Sequence, residues 1–184
     1  MNYYIDIKVL PDPEFPPSVL MNALFAKFHS ALVEAGHGEI GVSFPQAQKT
    51  LGDRLRLHGS LNILQRLMEI SWLKGLTDYT SVSAITPVPD DCQYRVVKRV
   101  QAKSSVERMY RRSVKKGWLT TEEAEIRTNE HKEQHLKLPF VQLKSQSSGQ
   151  AFRLFIQQGK LLDTPMKGEF SAYALSSEAT IPWF

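Results

Sequence analysis

An α+β protein in two parts is what this sequence predicts, on three observations. Tyr3, Ile5, Ile7 and Val9 are apolar at period two, as a strand with one buried face requires. Leu20, Met21, Leu24, Phe25, Phe28, Ala31, Leu32 and Ala35 recur at helical spacing on one face. The charge changes sign near residue 91: residues 1–91 carry 7 Lys/Arg and 10 Asp/Glu, residues 92–184 carry 16 and 9.

The elements follow in order. A strand over Tyr3–Leu10 ends at Pro11, Pro13, Pro16 and Pro17, and a helix over Ser18–Ala35 is stopped by Gly36 and Gly38. Ile40–Phe44 and Arg54–His58 read as strands. Ser60 is the expected N-cap of a helix over Leu61–Ile70. Thr80–Val88 reads as a fourth strand before Pro87, Pro89 and Asp90-Asp91. The order is βαββαβ, a ferredoxin-like domain over 1–91.

Residues 92–184 form a smaller, less regular α+β domain. Strands are expected at Tyr94–Val100, Phe140–Lys144, Ala151–Gln157 and Phe170–Leu175. Ser104-Ser105-Val106-Glu107 is a capping box for a helix over 105–116, closed by Gly117. Thr120 and Glu123 repeat the pattern for a helix over Thr121–His135.

Composition narrows the function classes. The net charge is +4, with one cysteine, Cys92, so neither an internal disulfide nor a cysteine-based zinc cluster is expected. No apolar run approaches the roughly 20 residues that cross a bilayer, and the N-terminus has no signal-peptide pattern. Cytoplasm is the expected compartment, with no membrane partner and no cofactor.

The basic helix is the strongest signal. Arg108, Arg111, Arg112, Lys115 and Lys116 stand at i, i+3, i+4, i+7 and i+8, within an arc of about 140°. A solvated helix usually mixes Glu with Lys to gain i, i+4 pairs, but this stripe has no acidic member. A membrane-surface helix would carry bulky apolar residues opposite the charge. A nucleic acid is the expected partner.

His29 lies at the border of its helix's buried face. There an imidazole, whose ordinary pKa of about 6.5 suits proton transfer, can keep solvent access while one nitrogen is held. The same position fits an amphipathic edge histidine with no role. His37 and His58 read as turn and strand-surface residues. His131 and His135 have metal-compatible spacing, but Glu133 is misplaced for the zinc protease motif, and no metal site is expected. Ser145-Gln146-Ser147-Ser148-Gly149-Gln150 clusters hydroxyls and amides, which suits phosphate or ribose as well as it suits an ordinary hairpin turn. Arg54–His58 lacks the aromatics with which RRM sheets stack bases, so the usual RRM surface is not expected.

Taken together these segments resemble one family, the repeat-processing endoribonucleases of type I-F CRISPR systems. The resemblance runs through Tyr4-Ile5-Asp6-Ile7, Pro11–Phe15, Leu24–His29, Gly41–Pro45, Arg99–Ser104, Ser145–Gln150, Phe152–Ile156 and Ile181-Pro182-Trp183-Phe184. It implies metal-independent cleavage of repeat RNA at the base of a hairpin. A ribose 2′-hydroxyl attacks the adjacent phosphate, leaving a 2′,3′-cyclic phosphate and a 5′-hydroxyl. The resemblance also implies a catalytic set. His29 takes the 2′-hydroxyl proton, Ser145 holds that ribose, and Tyr173 orients the imidazole; relatives usually have glycine where Ala174 follows this tyrosine. Arg99 and Gln101 are implied to read purines in the stem, and Phe152 to stack on its closing base pair. Arg112, Lys115 and Lys116 are implied to lie in the groove; Arg108 and Arg111 of the basic stripe and Ser147 and Ser148 of the polar turn are the further expected RNA-binding residues. Lysine in place of arginine keeps charge but loses the bidentate fork, which favours phosphate contacts. The implied partners are a CRISPR repeat hairpin, kept bound after cleavage, and other Cas proteins of a type I-F effector complex. A catalytically inert RNA-hairpin binder and a DNA-binding regulator are the alternatives, though the latter lacks a helix-turn-helix pattern.

Overall fold

The first strand, β1 (Tyr3–Val9), buries Ile5, Ile7 and Val9 on one face, as the alternation requires. In the computed structural model residues 1–35, 38–101, 106–130, 137–145 and 148–184 are described, the side chains of 106–108 and 126–130 excepted. Helix α1 (Pro17–Ala35) begins with proline in its first turn, where a missing N–H costs nothing. It buries Leu20, Met21, Leu24, Phe25, Phe28, Ala31 and Leu32. Two strands, β2 (Gly41–Ser43) and β3 (Arg54–Gly59), precede α2 (Leu61–Glu69), whose N-cap is Ser60 as expected, accepting from Ile63 N–H at 3.4 Å.

The fourth expected strand is broken in two, β4 (Thr80–Val82) and β5 (Thr86–Pro87), both paired antiparallel with β1. Ile7 faces Val82 and Tyr4 faces Thr86, so three residues of one chain stand opposite two of the other. That is a β-bulge, and the Ser83 hydroxyl fills it by accepting Asp6 N–H at 2.9 Å. The sheet order β2-β3-β1-β4 is the ferredoxin-like arrangement.

A second antiparallel sheet is built from β6 (Gln93–Val100), β7 (Phe140–Lys144), β8 (Ala151–Gln158) and β9 (Thr180–Trp183), in the order β7-β8-β6-β9. Strand β6 is shared lengthwise: Gln93–Val96 pair with β9, Val97–Val100 with β8. Two sequence expectations fail here. Phe170–Leu175 is a turn rather than a strand, and the last strand is β9, which contains Pro182. Proline is tolerated there because β9 is at the sheet edge.

The C-terminal segment closes the face of the first sheet that α1 and α2 leave open. A Cβ on Gly41 would lie 2.5 Å from Ile181 and 2.9 Å from Phe170, so only glycine fits under that contact. Arg56, 6% exposed, lies between the rings of Tyr4 and Phe184 and holds Asp6 through both carboxylate oxygens, at 2.7 and 3.0 Å. Removing Asp6 would strand a buried guanidinium, a loss of about 3–5 kcal/mol. His58 shares this face and is fully buried, which overturns its reading as a strand-surface residue. Its Nε2 lies 2.8 Å from Ser43 Oγ.

By contacts the described chain divides into two compact units, Met1–Val100 with Leu138–Phe184, and Gln101–Lys137. The second contains α3 (Val106–Lys115) and α4 (Thr121–Glu130), packed on each other. Expectations on His37, Ser104, Ser105, His131, His135, Gln146 and Ser147 lie outside the described residues. None of the described helices is long and apolar enough to cross a membrane.

Candidate active site

His29 and Tyr173 are brought together from opposite ends of the chain. His29 stands half-buried on α1, at the edge of its apolar face. Its Nδ1 lies 2.7 Å from the carbonyl oxygen of Ala172. A carbonyl can only accept, so Nδ1 carries the proton. In the neutral ring Nε2 is therefore left with its lone pair, the form a general base needs. The Tyr173 ring lies against the imidazole, 4.3 Å between centroids and 16° from parallel. The contact is ring on ring.

Both contacts come from one turn. Ala174 N–H donates to Ser171 O at 2.8 Å, Ser171 N–H to Leu175 O at 2.9 Å, and Tyr173 N–H to the Ser171 hydroxyl at 3.3 Å. Val42 N–H of β2 ties the turn to the first sheet through Ala174 O, at 3.0 Å. The reversal puts Ala174 in the left-handed region, φ 56°, the one non-glycine residue there among those described. Alanine tolerates this at a cost of about 1–2 kcal/mol.

The other expected site positions of this unit belong to the second sheet. Arg99 places its guanidinium carbon 5.8 Å from the Tyr173 ring centroid. By register Arg99 is opposite Ile156, and Phe152 is opposite Leu143, so both share a face with buried residues, although Arg99 itself is exposed. Phe152 is half-buried against the core. Ser145 follows β7 in the row of Val141 and Leu143, both buried. Its N–H donates to Gln150 O at 2.9 Å, its carbonyl accepts from Gly149, and its hydroxyl accepts Ser148 N–H at 3.3 Å. Asn22, two turns before His29, fixes β7 beside α1 by accepting Gln142 N–H at 2.9 Å.

In the second unit Arg111, Arg112, Lys115 and Lys116 are all exposed, while Tyr110 of the same helix is 7% exposed. The stripe therefore faces water and the helix packs by its other side. Arg108 falls within α3. Gln101 is exposed, at the start of this unit. Gly117 closes α3 with φ 72°, and Thr120 with Glu123 forms the expected capping box: Glu123 N–H donates to the Thr120 hydroxyl at 3.2 Å, and the carboxylate accepts Thr120 N–H at 2.9 Å.

Sequence reasoning missed the Ala172 carbonyl, Ala174 and Asn22. A carbonyl has no sequence signature, and an asparagine on a helix face looks like any solvated residue. The glycine usual after the tyrosine was the one available hint that Ala174 turns the chain.

A ferredoxin-like sheet closed by a second sheet, a histidine held through Nδ1 and stacked on a tyrosine, and a basic helix in a second compact unit define the class, an α+β protein with an oriented imidazole and a cationic helix face. The chain belongs to the Cas_Csy4 family of CRISPR-associated proteins, whose model matches residues 4–184. It is 56% identical over 184 residues to a CRISPR-associated endonuclease Cas6/Csy4 of Escherichia coli (strain UTI89 / UPEC), with all of both chains covered. It is 47% identical over 187 residues to a CRISPR-associated endonuclease Cas6/Csy4 of Pseudomonas aeruginosa (strain UCBPP-PA14), again over all of both chains.

Proposed function

We propose that this protein is a CRISPR RNA-processing endoribonuclease that cuts repeat RNA at the base of a hairpin without a metal ion. The observation that carries the reading is the Nδ1–carbonyl bond of His29, which leaves Nε2 as the base. Nε2 takes the proton of the ribose 2′-hydroxyl, and the 2′-oxygen displaces the 5′-oxygen at phosphorus, which leaves with the bonding electron pair and takes a proton from water. The upstream product ends in a 2′,3′-cyclic phosphate and the downstream one in a 5′-hydroxyl. Ser145 holds the attacking ribose. Positioning of this kind replaces the ligand set a metal would need.

The same reading gives Arg99 and Gln101 the recognition of stem purines and Phe152 the stack on the closing base pair. Arg108, Arg111, Arg112, Lys115 and Lys116 grip the stem backbone, and Ser147 and Ser148 bind beside Ser145. The cut hairpin stays bound and brings the protein to the other Cas proteins of a type I-F effector complex. The deciding experiment incubates repeat RNA with the protein in EDTA and analyses the ends formed. A cut leaving a cyclic phosphate is expected. Cleavage that vanishes in EDTA and returns with Mg²⁺ overturns the mechanism, and binding without any cut would mark an inert hairpin binder.

A further inference from the structure

Trp118 is the most exposed large apolar side chain among the described residues, at 71%. Its backbone is fixed. Trp118 N–H donates to Ser113 O at 3.0 Å and Gly117 N–H to Val114 O at 2.9 Å, the paired bonds of a Schellman closure. In that motif the residue at the Trp118 position usually packs back on apolar side chains of the last turns. Here those positions are Arg112 and Ser113, which give an indole nothing to bury against. Instead Lys116 Nζ stands 4.6 Å from the ring centroid. The indole is thus held in water at the end of a helix face on which Arg111, Arg112, Lys115 and Lys116 are all exposed.

An exposed aromatic serves a protein contact as readily as a nucleic acid. The surrounding charge decides between them, because a cationic row ending in a flat aromatic is the pairing that single-stranded nucleic acid sites use. The cations neutralise backbone phosphates and the ring takes a base.

We infer that Trp118 stacks on an unpaired nucleobase of the hairpin whose backbone the basic face of α3 binds. This rests on the RNA-hairpin reading above. The base must be unpaired, since bases inside a stem have both faces covered by their neighbours, whereas loop bases can be splayed out. Every base offers a π-face, so the contact adds affinity for a loop without reading its sequence. Trp118 is then a recognition residue separate from those that touch the scissile phosphate.

The test is a thermodynamic cycle of two proteins and two RNAs, the repeat hairpin and the same stem closed by abasic loop residues. Trp118→Ala should bind the natural hairpin roughly five- to 150-fold more weakly, and Trp118→Phe should recover most of the loss. The abasic loop should weaken the wild-type protein by a similar factor and leave Trp118→Ala almost unchanged. Saturating RNA should still be cut by Trp118→Ala at the wild-type rate, showing the fold intact. Equal binding of the natural hairpin by wild type and Trp118→Ala overturns the inference, and so do equal losses on the abasic loop. Normal RNA binding by Trp118→Ala with failed assembly onto other Cas proteins overturns it too, in favour of a protein contact. If the wild-type protein binds no hairpin at all, the RNA reading itself fails.

Discussion

The imidazole of His29 is held from two directions by consecutive residues, edge-on by the Ala172 carbonyl and face-on by the Tyr173 ring. One contact sets the tautomer and the other fixes the plane, so the ring is oriented by the fold itself. The two roles can be separated by mutation.

His29→Ala should abolish cutting and leave hairpin binding nearly intact. A positioned base contributes about 10²- to 10⁴-fold, so single-turnover rates should fall by that factor. A substrate with 2′-deoxyribose upstream of the scissile phosphate should likewise be bound and uncut. Wild-type cutting in either case would refute the assigned base.

For Tyr173 the ring matters more than the hydroxyl, because the contact is a stack. Tyr173→Phe should cut within a few-fold of wild type. Tyr173→Ala should lose the roughly two- to tenfold that an aromatic pair supplies, with RNA affinity unchanged. The opposite order of the two variants would assign the work to the phenol oxygen.

At Ala174 three effects compete. Glycine would relieve about 1–2 kcal/mol of left-handed strain. It would also forfeit about 0.8 kcal/mol of methyl burial and about 0.5–1 kcal/mol of backbone entropy. Ala174→Gly should therefore unfold within about 1 kcal/mol of wild type in urea. Ala174→Val adds a β-branch to the same φ at a site 1% exposed, so overpacking of about 1–3 kcal/mol joins the strain. That variant should be clearly destabilised and, through Ala172 and Tyr173, slow in cutting.

His58 makes the fold acid-sensitive. Burial first, then the Arg56 charge and the N-terminal ammonium, push its pKa down to about 3. Below about pH 6.5 the unfolded chain takes up a proton that the folded chain refuses. Stability is therefore fully present above that pH and falls toward pH 3, by up to about 1.4 kcal/mol per unit from this group. Urea midpoints between pH 7 and pH 4.5 should fall less steeply in His58→Gln than in wild type. Equal slopes would show that His58 is not the group responsible.

Arg112, Lys115 and Lys116 should govern salt dependence. Each phosphate neutralised adds roughly 0.7–0.9 to the slope of log K against log salt. Replacing all three with alanine should flatten the slope by about 2–3 if each meets one phosphate. Lost affinity at an unchanged slope would mean that they do not touch the backbone.

The periodic parts of this fold were legible because a core imposes a period. Leu20 to Leu32 announced α1, and Leu55 and Leu57 announced the buried side of β3. Misreadings arose where a neighbour changed the meaning of a pattern. Arg56 and His58 alternate as a solvated face should, yet both are buried, Arg56 between Tyr4 and the ring of Phe184, distant in sequence. Phe170–Leu175 has strand-like content, yet hydrogen bonds within Ser171–Leu175 bend it into the turn that holds His29. The resemblance singled out His29 and Tyr173 together; the residues alone pointed only to His29, and nothing foretold how the two would meet.

Val100 at the end of β6 and Phe140 at the start of β7 both stand opposite Phe155, one on each side of β8. Residues 101–137 thus leave and re-enter the sheet at points two strand spacings apart, about 10 Å. A bridge of about four or five residues would span that gap. The basic helix is in this sense an exchangeable cassette, spliced into a scaffold whose strands are already paired without it. The contacts that hold His29, from Ala172 and Tyr173, both lie outside it.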